Sequence, residues 1–377
     1  MIGVAQSIPE AIVREHIAKL CGQMRERDIA ATIVFDASNM LAFTGTPHMS
    51  WDRLTCGVVT REGDVRVVCP AFERPGVCGA DKIASIHTWQ EHQNPYDIFA
   101  SAMRVAGISC GAVGVDGRVW LSAWYRFADA CGDKIKLQSA EEMIREVRIC
   151  KSPLEQDALR GAHRRGERAF LEMKSIIRAG ASEIELQREL AEILAPEGIT
   201  ITPMVQSGPN GAIPHNPTGD RKLRQGDTIV MDSVTPFDGY FNDITRTYAV
   251  GEPSDRAKKA YRAVRQAQQA AIDAAKPGVE CQQLDQIARG IITEAGFGEF
   301  FTHRLGHGLG IEVHEPPFLV GGNSEKLRAG MCVTIEPGVY VPGEFGIRIE
   351  DDILITDNGC EVISGDLTTD VSEAFHR

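Results

Sequence analysis

Residues 223–232 read LRQGDTIVMD, and residues 327–336 read LRAGMCVTIE. The two stretches share a Leu-Arg start, a glycine at the fourth position, a run of strand-forming residues and a carboxylate at the tenth. A shift of 104 residues therefore brings Asp232 onto Glu336. Similarity at a fixed spacing indicates an internal repeat, in which each copy needs its neighbour to bury its apolar face.

The segments that precede the two copies also correspond, because each contains two helical patterns. Ser182 followed by Glu185 has the spacing of a capping box, which marks a helix start. The predicted helices are 153–178 and 182–194 in the first copy, and 255–275 and 280–295 in the second. Each copy is therefore predicted to be two helices followed by a strand hairpin, with the carboxylates meeting near a pseudo-twofold axis.

The first hairpin is predicted from two strand-like runs around Pro236-Phe-Asp-Gly239. A four-residue turn would set Asp232 directly opposite Asp243. Carboxylates that face each other across a sheet destabilise it unless a cation lies between them. Because three apolar residues precede Asp232, we expect a buried strand, and this favours a metal site over a solvated hairpin.

The second hairpin is predicted around a turn centred on Gly343. This turn places Glu336 opposite Glu350. Arg348 and Asp352 share the face of Glu350, because alternate residues of a strand point the same way. Arg348 is expected either to orient a substrate carboxylate or to form a structural ion pair with Glu350.

Histidines are gathered in the same half of the chain. Residues 303–314 contain His303, His307 and His314, interleaved with glycines that allow close approach of the backbone, and His215 follows shortly after SGPNG at 207–211. The expected metal ligands are four carboxylates and one imidazole: Asp232, Asp243, His307, Glu336 and Glu350. Such a hard, oxygen-rich set suits two divalent cations that hold a water between them, which is the chemistry of a dinuclear hydrolase.

Length and composition indicate a globular protein with two domains. The 377 residues exceed the roughly 250–300 at which a single core stops growing. Short apolar runs alternate with helical stretches in the first half, which predicts an α/β domain. We expect an α+β protein, with an N-terminal domain at 1–145 and a catalytic domain at 146–377.

The composition also argues against several classes of protein. A net charge of −12 is unfavourable for binding nucleic acid, and no apolar run approaches the ~18 residues of a membrane span. The ten cysteines are scattered without a C-x-x-C pair, and the N-terminus shows no secretory signal. A cytoplasmic protein with no nucleic-acid or membrane partner is expected.

Taken together, the motifs of residues 146–377 resemble the pita-bread fold of the metallopeptidase family that contains Xaa-Pro dipeptidase (prolidase), aminopeptidase P, methionine aminopeptidase and creatinase. The motifs are SGPNG before His215, Asp232, Gly239-Tyr240 with Asp243-Ile-Thr-Arg-Thr247, Gly306-His307-Gly308, His314-Glu315, Glu336-Pro-Gly338 and Arg348-Ile-Glu350-Asp. The N-terminal part resembles the creatinase-like α/β domain of that family less specifically, chiefly at 39–45 and in its length.

This resemblance implies a role for each predicted ligand. Asp243 and Glu350 would bridge two divalent metal ions. Asp232 would bind one ion, and His307 with Glu336 would complete the other. Manganese is the expected metal because the ligands are mainly carboxylates, with cobalt or zinc as alternatives.

Catalytic and substrate-binding roles are implied in the same way. Glu336 would be the general base for a bridging hydroxide, and His314 and His215 would stabilise the tetrahedral intermediate. His303 would line the proline side of the site, and Arg348 is a further substrate-binding candidate. The implied substrate is a small peptide with a bond before proline, with a dipeptide as the first expectation, and the implied assembly is a homodimer.

Some positions depart from the family pattern and keep other functions open. Ser233-Val234 follows Asp232 where smaller residues are usual, and Asn242 precedes Asp243 where Ser or Thr is common. The alternatives are aminopeptidase P, a relative that hydrolyses or cleaves a non-peptide small substrate, and an inactive binding protein, against which the five ligands argue. The substrate's amino end would be read from the N-terminal half, where His48, Trp51 and Arg53 are candidates.

Overall fold

The computed structural model describes residues 7–48, 52–199 and 203–365. The chain divides into two compact units, Met1–Arg148 and Ile149–Arg377. The boundary predicted between 145 and 146 lies next to this division. Within the described residues, no helix combines the length and the apolar character that crossing a bilayer requires.

The N-terminal unit is built on a six-stranded mixed sheet. Its strands are β1 (Ile29–Val34), β2 (Cys56–Thr60), β3 (Val65–Pro70), β4 (Ala84–Trp89), β5 (Gly111–Val115) and β6 (Ile135–Ser139). Its helices are α1 (Glu10–Glu26), α2 (Ala37–Thr44), α3 (Pro95–Val105), α4 (Leu121–Cys131) and α5 (Glu141–Ile149), with a 3-10 segment at Ala71–Lys82. The strand order is β4-β3-β2-β1-β5-β6. This confirms the predicted α/β character.

The C-terminal unit contains the repeated pattern of helices and hairpins. Its helices are α6 (Pro153–Ile176), α7 (Glu183–Leu194), α8 (Asp255–Ala274) and α9 (Cys281–Glu294). Its strands are β7 (Met204–Ser207), β8 (Thr228–Phe237), β9 (Tyr240–Ala249), β10 (Gly306–Gly308), β11 (Glu315–Leu319), β12 (Cys332–Ile335), β13 (Gly338–Val341), β14 (Phe345–Arg348), β15 (Asp351–Ile355) and β16 (Cys360–Val362). The four predicted helices are confirmed, with ends that differ by one or two residues.

The helix pairs of the two repeats begin with similar local chemistry. Capping boxes form at Ser152 with Glu155, at Ser182 with Glu185, and at Glu280 with its third following residue. Each helix pair packs a separate apolar cluster against its own hairpin. The reciprocal hydrogen bonds of the capping boxes satisfy backbone N–H groups that a helix start otherwise leaves without partners.

The predicted register of the first hairpin is wrong by two residues. Asp232 pairs with Thr245, and Asp243 pairs with Val234. The cause is the turn, in which Asp238 and Gly239 alone connect the strands, with φ of 47° and 86°. Positive φ at both central residues is typical of a type I′ turn, which continues the strand twist and keeps the preceding Pro-Phe pair in the ladder.

The predicted register of the second hairpin is confirmed. Ile335 pairs with Asp351, and Gly338 pairs with Arg348, so the ladder on both sides brackets Glu336 and Glu350. Between these paired segments, Glu336 and Glu350 are not themselves hydrogen-bonded to each other as a ladder pair. Glu350 instead forms an isolated β-bridge with Thr245 of the first hairpin. Its backbone N–H donates to the carbonyl of Thr245 at 3.0 Å.

This bridge lies where the two repeats cross. Thr245 lies opposite Asp232 in the first hairpin. In the second hairpin the register sets Glu350 opposite Glu336, so Glu350 is the residue that corresponds to Thr245. The contact is extended by the Thr245 hydroxyl, which donates to the carboxylate of Glu350 at 2.7 Å. The pseudo-twofold relation predicted from the sequence therefore passes through the strands that carry the acidic residues.

Candidate metal centre

The carboxylates predicted as metal ligands converge at this crossing. Asp232 and Asp243 lie on one face of the first hairpin, two residues out of register and therefore diagonal to each other. Donor atoms of Asp232, Asp243 and Glu350 lie within 4.8 Å of one another. Donor atoms of His307, Glu336 and Glu350 form a second such group. The two groups share Glu350, so the five predicted residues are brought into one continuous cluster.

His307 is held by a strand that approaches its neighbours closely. A Cβ at Gly306 would overlap the carbonyl of Thr334 on β12, and a Cβ at Gly308 would overlap the carbonyl of Pro316 on β11. Only glycine fits beside backbone at such distances. The Gly-His-Gly motif therefore lets β10 fit closely between β11 and β12, where side chains at the positions on either side of His307 would have no space.

The ring of His307 presents the correct nitrogen for a metal. Its Nδ1 lies 3.1 Å from the carbonyl of Gly308 and must donate to it, because a carbonyl oxygen only accepts. In the neutral ring, Nε2 then carries a lone pair that faces Glu336 Oε1 at 3.3 Å and Asp243 Oδ2 at 3.8 Å. Two acceptors at this distance need a cation or a proton between them, so the donor set fits a divalent metal ion.

Electrostatics in the cluster also favour a bound cation. Burial raises the pKa of Asp243 well above its ordinary value, and the negative charges of Glu350 and Asp232 raise it further. Burial together with Glu336 and Asp232 does the same to the pKa of Glu350. Carboxylates in this position stay ionised only if a cation offsets their repulsion.

Glu336 differs from the other two buried carboxylates. Burial acts to raise its pKa, but when a proton takes the place of a metal on His307 Nε2, the hydrogen bond and positive charge of that ring outweigh burial and bring the pKa to about 2. Its side chain is 15% exposed, whereas that of Asp243 is 7% exposed. Glu336 is therefore an ionised carboxylate at the accessible edge of the cluster.

Arg348 and His303 are linked through a residue that the sequence analysis missed. Arg348 donates to Asp232 Oδ2 at 2.6 Å and to the hydroxyl of Tyr340 at 2.9 Å. That hydroxyl lies 2.9 Å from His303 Nε2, while His303 Nδ1 donates to the carbonyl of Arg304. Tyr340 must therefore donate to Nε2. Both ring nitrogens of His303 are used within the protein.

This chain of contacts also explains the conformation around Gly338. A Cβ at Gly338 would lie 2.5 Å from the Tyr340 hydroxyl, so glycine leaves the space in which Arg348 and His303 meet that hydroxyl. Arg348 is 2% exposed and donates to protein groups. These contacts favour orientation of Asp232 over direct contact with a substrate carboxylate, and they differ from the Arg–Glu pair that was the alternative.

His314 and His215 lie at the open edge of the site. The rings of His307 and His314 are 4.1 Å apart in an edge-to-face arrangement, and donor atoms of Asp243, His307 and His314 form a third group within 4.8 Å. Burial and the charge of His307 lower the pKa of His314 to about 4. His215 is exposed, four residues beyond Gly211, whose carbonyl lies against Gly346 of β14.

A buried pair beneath the site was also missed. His163 Nδ1 donates to the carbonyl of Leu159 at 2.7 Å, and its Nε2 lies 2.6 Å from Asp352 Oδ2. One proton must lie between that nitrogen and that oxygen. The same carboxylate accepts the backbone N–H of Asp243 at 2.8 Å. His163 and Asp352 are 189 positions apart, so no local sequence pattern could have connected them.

The departures from the family pattern fall on different faces of the first hairpin. Val234, two residues after Asp232, is partly exposed on the same face of the hairpin, where its side chain can narrow the site. Ser233 and Asn242 are buried on the other face, where Asn242 packs against Gly166 of α6. Asn242 is therefore accommodated by a helix glycine and does not face the metal ligands.

Two of the three N-terminal residues predicted to read the amino end of a substrate form ion pairs within the protein. His48 Nε2 lies 2.9 Å from Glu73, and Arg53 forms ion pairs with Asp52 and Glu91. Trp51 lies outside the described residues. The role of these residues in reading the amino end of a substrate stays a prediction.

Comparison with known proteins gives consistent results along the whole chain. Residues 157–357 match metallopeptidase family M24, and residues 16–150 match the creatinase/prolidase N-terminal domain. The probable dipeptidase PepE of Mycobacterium tuberculosis is 33% identical over 354 residues, which cover 92% of this chain and 93% of the relative.

Solved structures show the same similarity. Dipeptidase PepE from Mycobacterium ulcerans has a TM-score of 0.84 at 32% identity, covering 95% of this chain and 96% of that chain. A prolidase from Thermococcus sibiricus also has a TM-score of 0.84 at 32% identity, covering 93% and 96%. These matches confirm the resemblance and the fold class that the sequence predicted.

Proposed function

Because the chain belongs to metallopeptidase family M24, we propose that it is a metal-dependent exopeptidase that hydrolyses the bond before proline, with Xaa-Pro dipeptides as its main substrates. The observation that carries this proposal is the pair of overlapping ligand groups that share Glu350. Solved relatives titled as a dipeptidase and a prolidase support the dipeptide substrate.

The proposed metal site has two divalent ions, with manganese as the expected metal. Asp243 and Glu350 would bridge the ions, Asp232 would bind one, and the other would be bound by His307 and Glu336. When bound, two such ions would polarise the scissile carbonyl and provide a bridging hydroxide at neutral pH. Hard carboxylate ligands favour manganese, and cobalt or zinc can occupy the same donor set.

The protein's own groups would then carry the proton and the developing charge. Glu336 lies at the accessible edge of the cluster, so it would accept the proton of the attacking water. His314 and His215, at the open edge, would donate to the oxyanion that forms on the scissile carbonyl. The ring of His303 would line the proline side, with its nitrogens already engaged by Arg304 and Tyr340.

The proposed setting of the enzyme is a homodimer in the cytoplasm. The homodimer follows from the family resemblance. The compartment is supported by the scattered cysteines, because those whose side chains the structure describes are all free thiols.

A substrate screen with manganese supplied tests this function. We expect the highest kcat/KM for Xaa-Pro dipeptides, lower values for longer peptides that begin with Xaa-Pro, and no turnover of creatine or cyclic amidines. Preference for the longer peptides would instead identify an aminopeptidase P. Failure to hydrolyse any proline substrate would reject the proposal, and hydrolysis of a non-peptide amide alone would identify a relative with altered chemistry.

Removing the imidazole of His314 separates its catalytic role from metal binding. We expect His314→Ala to lower kcat by about 100-fold, the usual loss on removal of one oxyanion donor, while the metal content stays unchanged. Activity and elemental analysis of the same sample measure both effects. Exposed His92 of the N-terminal unit gives the matched control, since His92→Ala should change neither. Loss of metal from His314→Ala would make His314 a ligand instead.

A further inference from the structure

The His215 loop, defined as residues 207–219, connects β7 to the strand hairpin of the first repeat. Apart from Ser207, the last residue of β7, and a short 3-10 turn at Gly208–Asn210, its residues form no helix or strand, and His215 is exposed near its tip. Its own backbone supplies only turn hydrogen bonds, such as Asn216 N–H to the carbonyl of Ile213 at 3.1 Å. A loop of this kind needs contacts from outside to hold one conformation.

One buried carboxylate supplies several of those contacts, in addition to the Gln206 amide, which donates to the carbonyls of Pro214 and Asn216. Glu183, the first residue of α7, is 0% exposed. It accepts the backbone N–H and the hydroxyl of Ser207, both at 2.7 Å, at the start of the loop. It also accepts the side-chain amide of Asn210 at 3.1 Å, and the backbone N–H of Gly219 at 3.1 Å at the end of the loop. One side chain therefore connects both ends and the first turn.

Helix capping does not account for these contacts. The start of α7 already has a complete capping box from Ser182 and Glu185. Burying a carboxylate costs free energy unless donors surround it, and the donors that surround Glu183 all belong to the His215 loop. The side chain of Glu183 therefore serves the loop, while the helix end is satisfied by its neighbours.

The loop is also fixed on the side of the metal centre. A Cβ at Gly346 of β14 would overlap the carbonyl of Gly211, so the first turn of the loop lies directly on the strand that ends in Arg348. Only three residues separate Gly211 from His215, so the His215 ring is held close to this contact with β14. Movement of the loop would therefore change the place of the His215 ring relative to the other imidazoles.

We propose that Glu183 is a positioning residue that clamps the His215 loop and thereby holds the His215 ring at the metal centre. The catalytic part of this inference rests on the proposed function, in which His215 donates to the oxyanion. The clamp itself does not, because loop motion can be measured without turnover. Asn210, which bonds to the same carboxylate from within the loop, is part of the clamp.

The test compares Glu183→Gln, His215→Ala and the double variant in the manganese-loaded protein, with Ala-Pro as substrate. Glu185→Gln is the matched control, because Glu185 is exposed on the same helix and glutamine preserves a capping box. We expect Glu183→Gln to speed amide hydrogen exchange across the loop and to lower kcat about tenfold, at unchanged metal content. The double variant should be no slower than His215→Ala alone.

Each outcome decides one part of the inference. Unchanged hydrogen exchange in the loop of Glu183→Gln would overturn the clamp. If Glu183→Gln lowers kcat by the same factor in the wild-type and His215→Ala backgrounds, the carboxylate does not act through the His215 ring. Normal turnover of His215→Ala would refute the catalytic role of His215, while the exchange data would still decide the clamp. If Glu183→Gln does not fold, Asn210→Ala should give the same pattern with a smaller effect.

Discussion

Asp243→Asn is expected to abolish peptide hydrolysis and to lose bound manganese. The asparagine keeps the volume of the side chain and the backbone N–H bond to Asp352, but it replaces an anionic bridging oxygen with an amide. Loss of outer groups that support a metal ligand costs 10–100-fold in activity or affinity, so we expect loss of a bridging ligand to exceed about 100-fold. Activity and elemental analysis of the purified variant measure both effects.

The same variant should change stability in opposite directions with and without metal. In the metal-free protein, Asp243 must either carry a buried negative charge that faces Glu350 and Asp232 or bind a proton at neutral pH, and both lower the stability. Asparagine removes this cost, so unfolding should need more urea. Manganese at 100 times its Kd would stabilise the wild-type protein by about 2.7 kcal/mol, and this gain should be reduced in the variant.

A suitable control is Asp273→Asn, since Asp273 is an exposed carboxylate on α8. It should leave activity, metal content and both stabilities unchanged. The dinuclear assignment would fail if Asp243→Asn retained wild-type hydrolysis and wild-type metal content.

Gly306→Ala is expected to disrupt the C-terminal unit even though it adds only one methyl group. The new Cβ would overlap the Thr334 carbonyl and lie 2.8 Å from its carbonyl carbon, which is backbone and has no alternative rotamer. Strand β10 would have to separate from β12, and His307 would move with it. We expect a loss of about 3 kcal/mol in the free energy of unfolding, at the upper end of ordinary overpacking, together with loss of metal binding.

Gly290→Ala provides the matched comparison for this substitution. Gly290 is exposed within α9, and a Cβ there would meet nothing within 4 Å. Alanine should stabilise this helix by about 0.5–1 kcal/mol, because it loses less conformational freedom on folding than glycine does. Urea unfolding of the two variants would contradict the steric argument if both changed stability by the same amount.

Parts of the fold were predictable because their signals are local. Helix starts such as Ser182 with Glu185 are encoded within four residues, and the three-residue turn around Gly343 defined the register that brackets Glu336. The first hairpin was misjudged because Pro236-Phe237-Asp238-Gly239 has turn composition throughout. The actual turn uses only its last two residues, whose positive φ is a backbone property that composition does not reveal.

The supporting parts of the candidate site were not predictable for a different reason. Glu183 follows Ser182 in a pattern that suggests only a helix start, and its buried role depends on a loop that begins 24 residues later. Tyr340 lies in an apolar strand, where an aromatic residue is ordinarily part of the core. Ser207 is 24 positions from Glu183, and His303 is 37 positions from Tyr340, so periodicity and spacing carry no information about these two contacts.

The crossing of the two repeats has a consequence for how the enzyme is made. The proposed ligands are distributed from Asp232 in the first repeat to Glu350 in the second. Neither repeat alone holds the full set, since Glu350 belongs to both ligand groups. During synthesis, both repeats must therefore have emerged from the ribosome and packed together before the full set of ligands can form, so the first repeat cannot be loaded with two ions while the second is still being made.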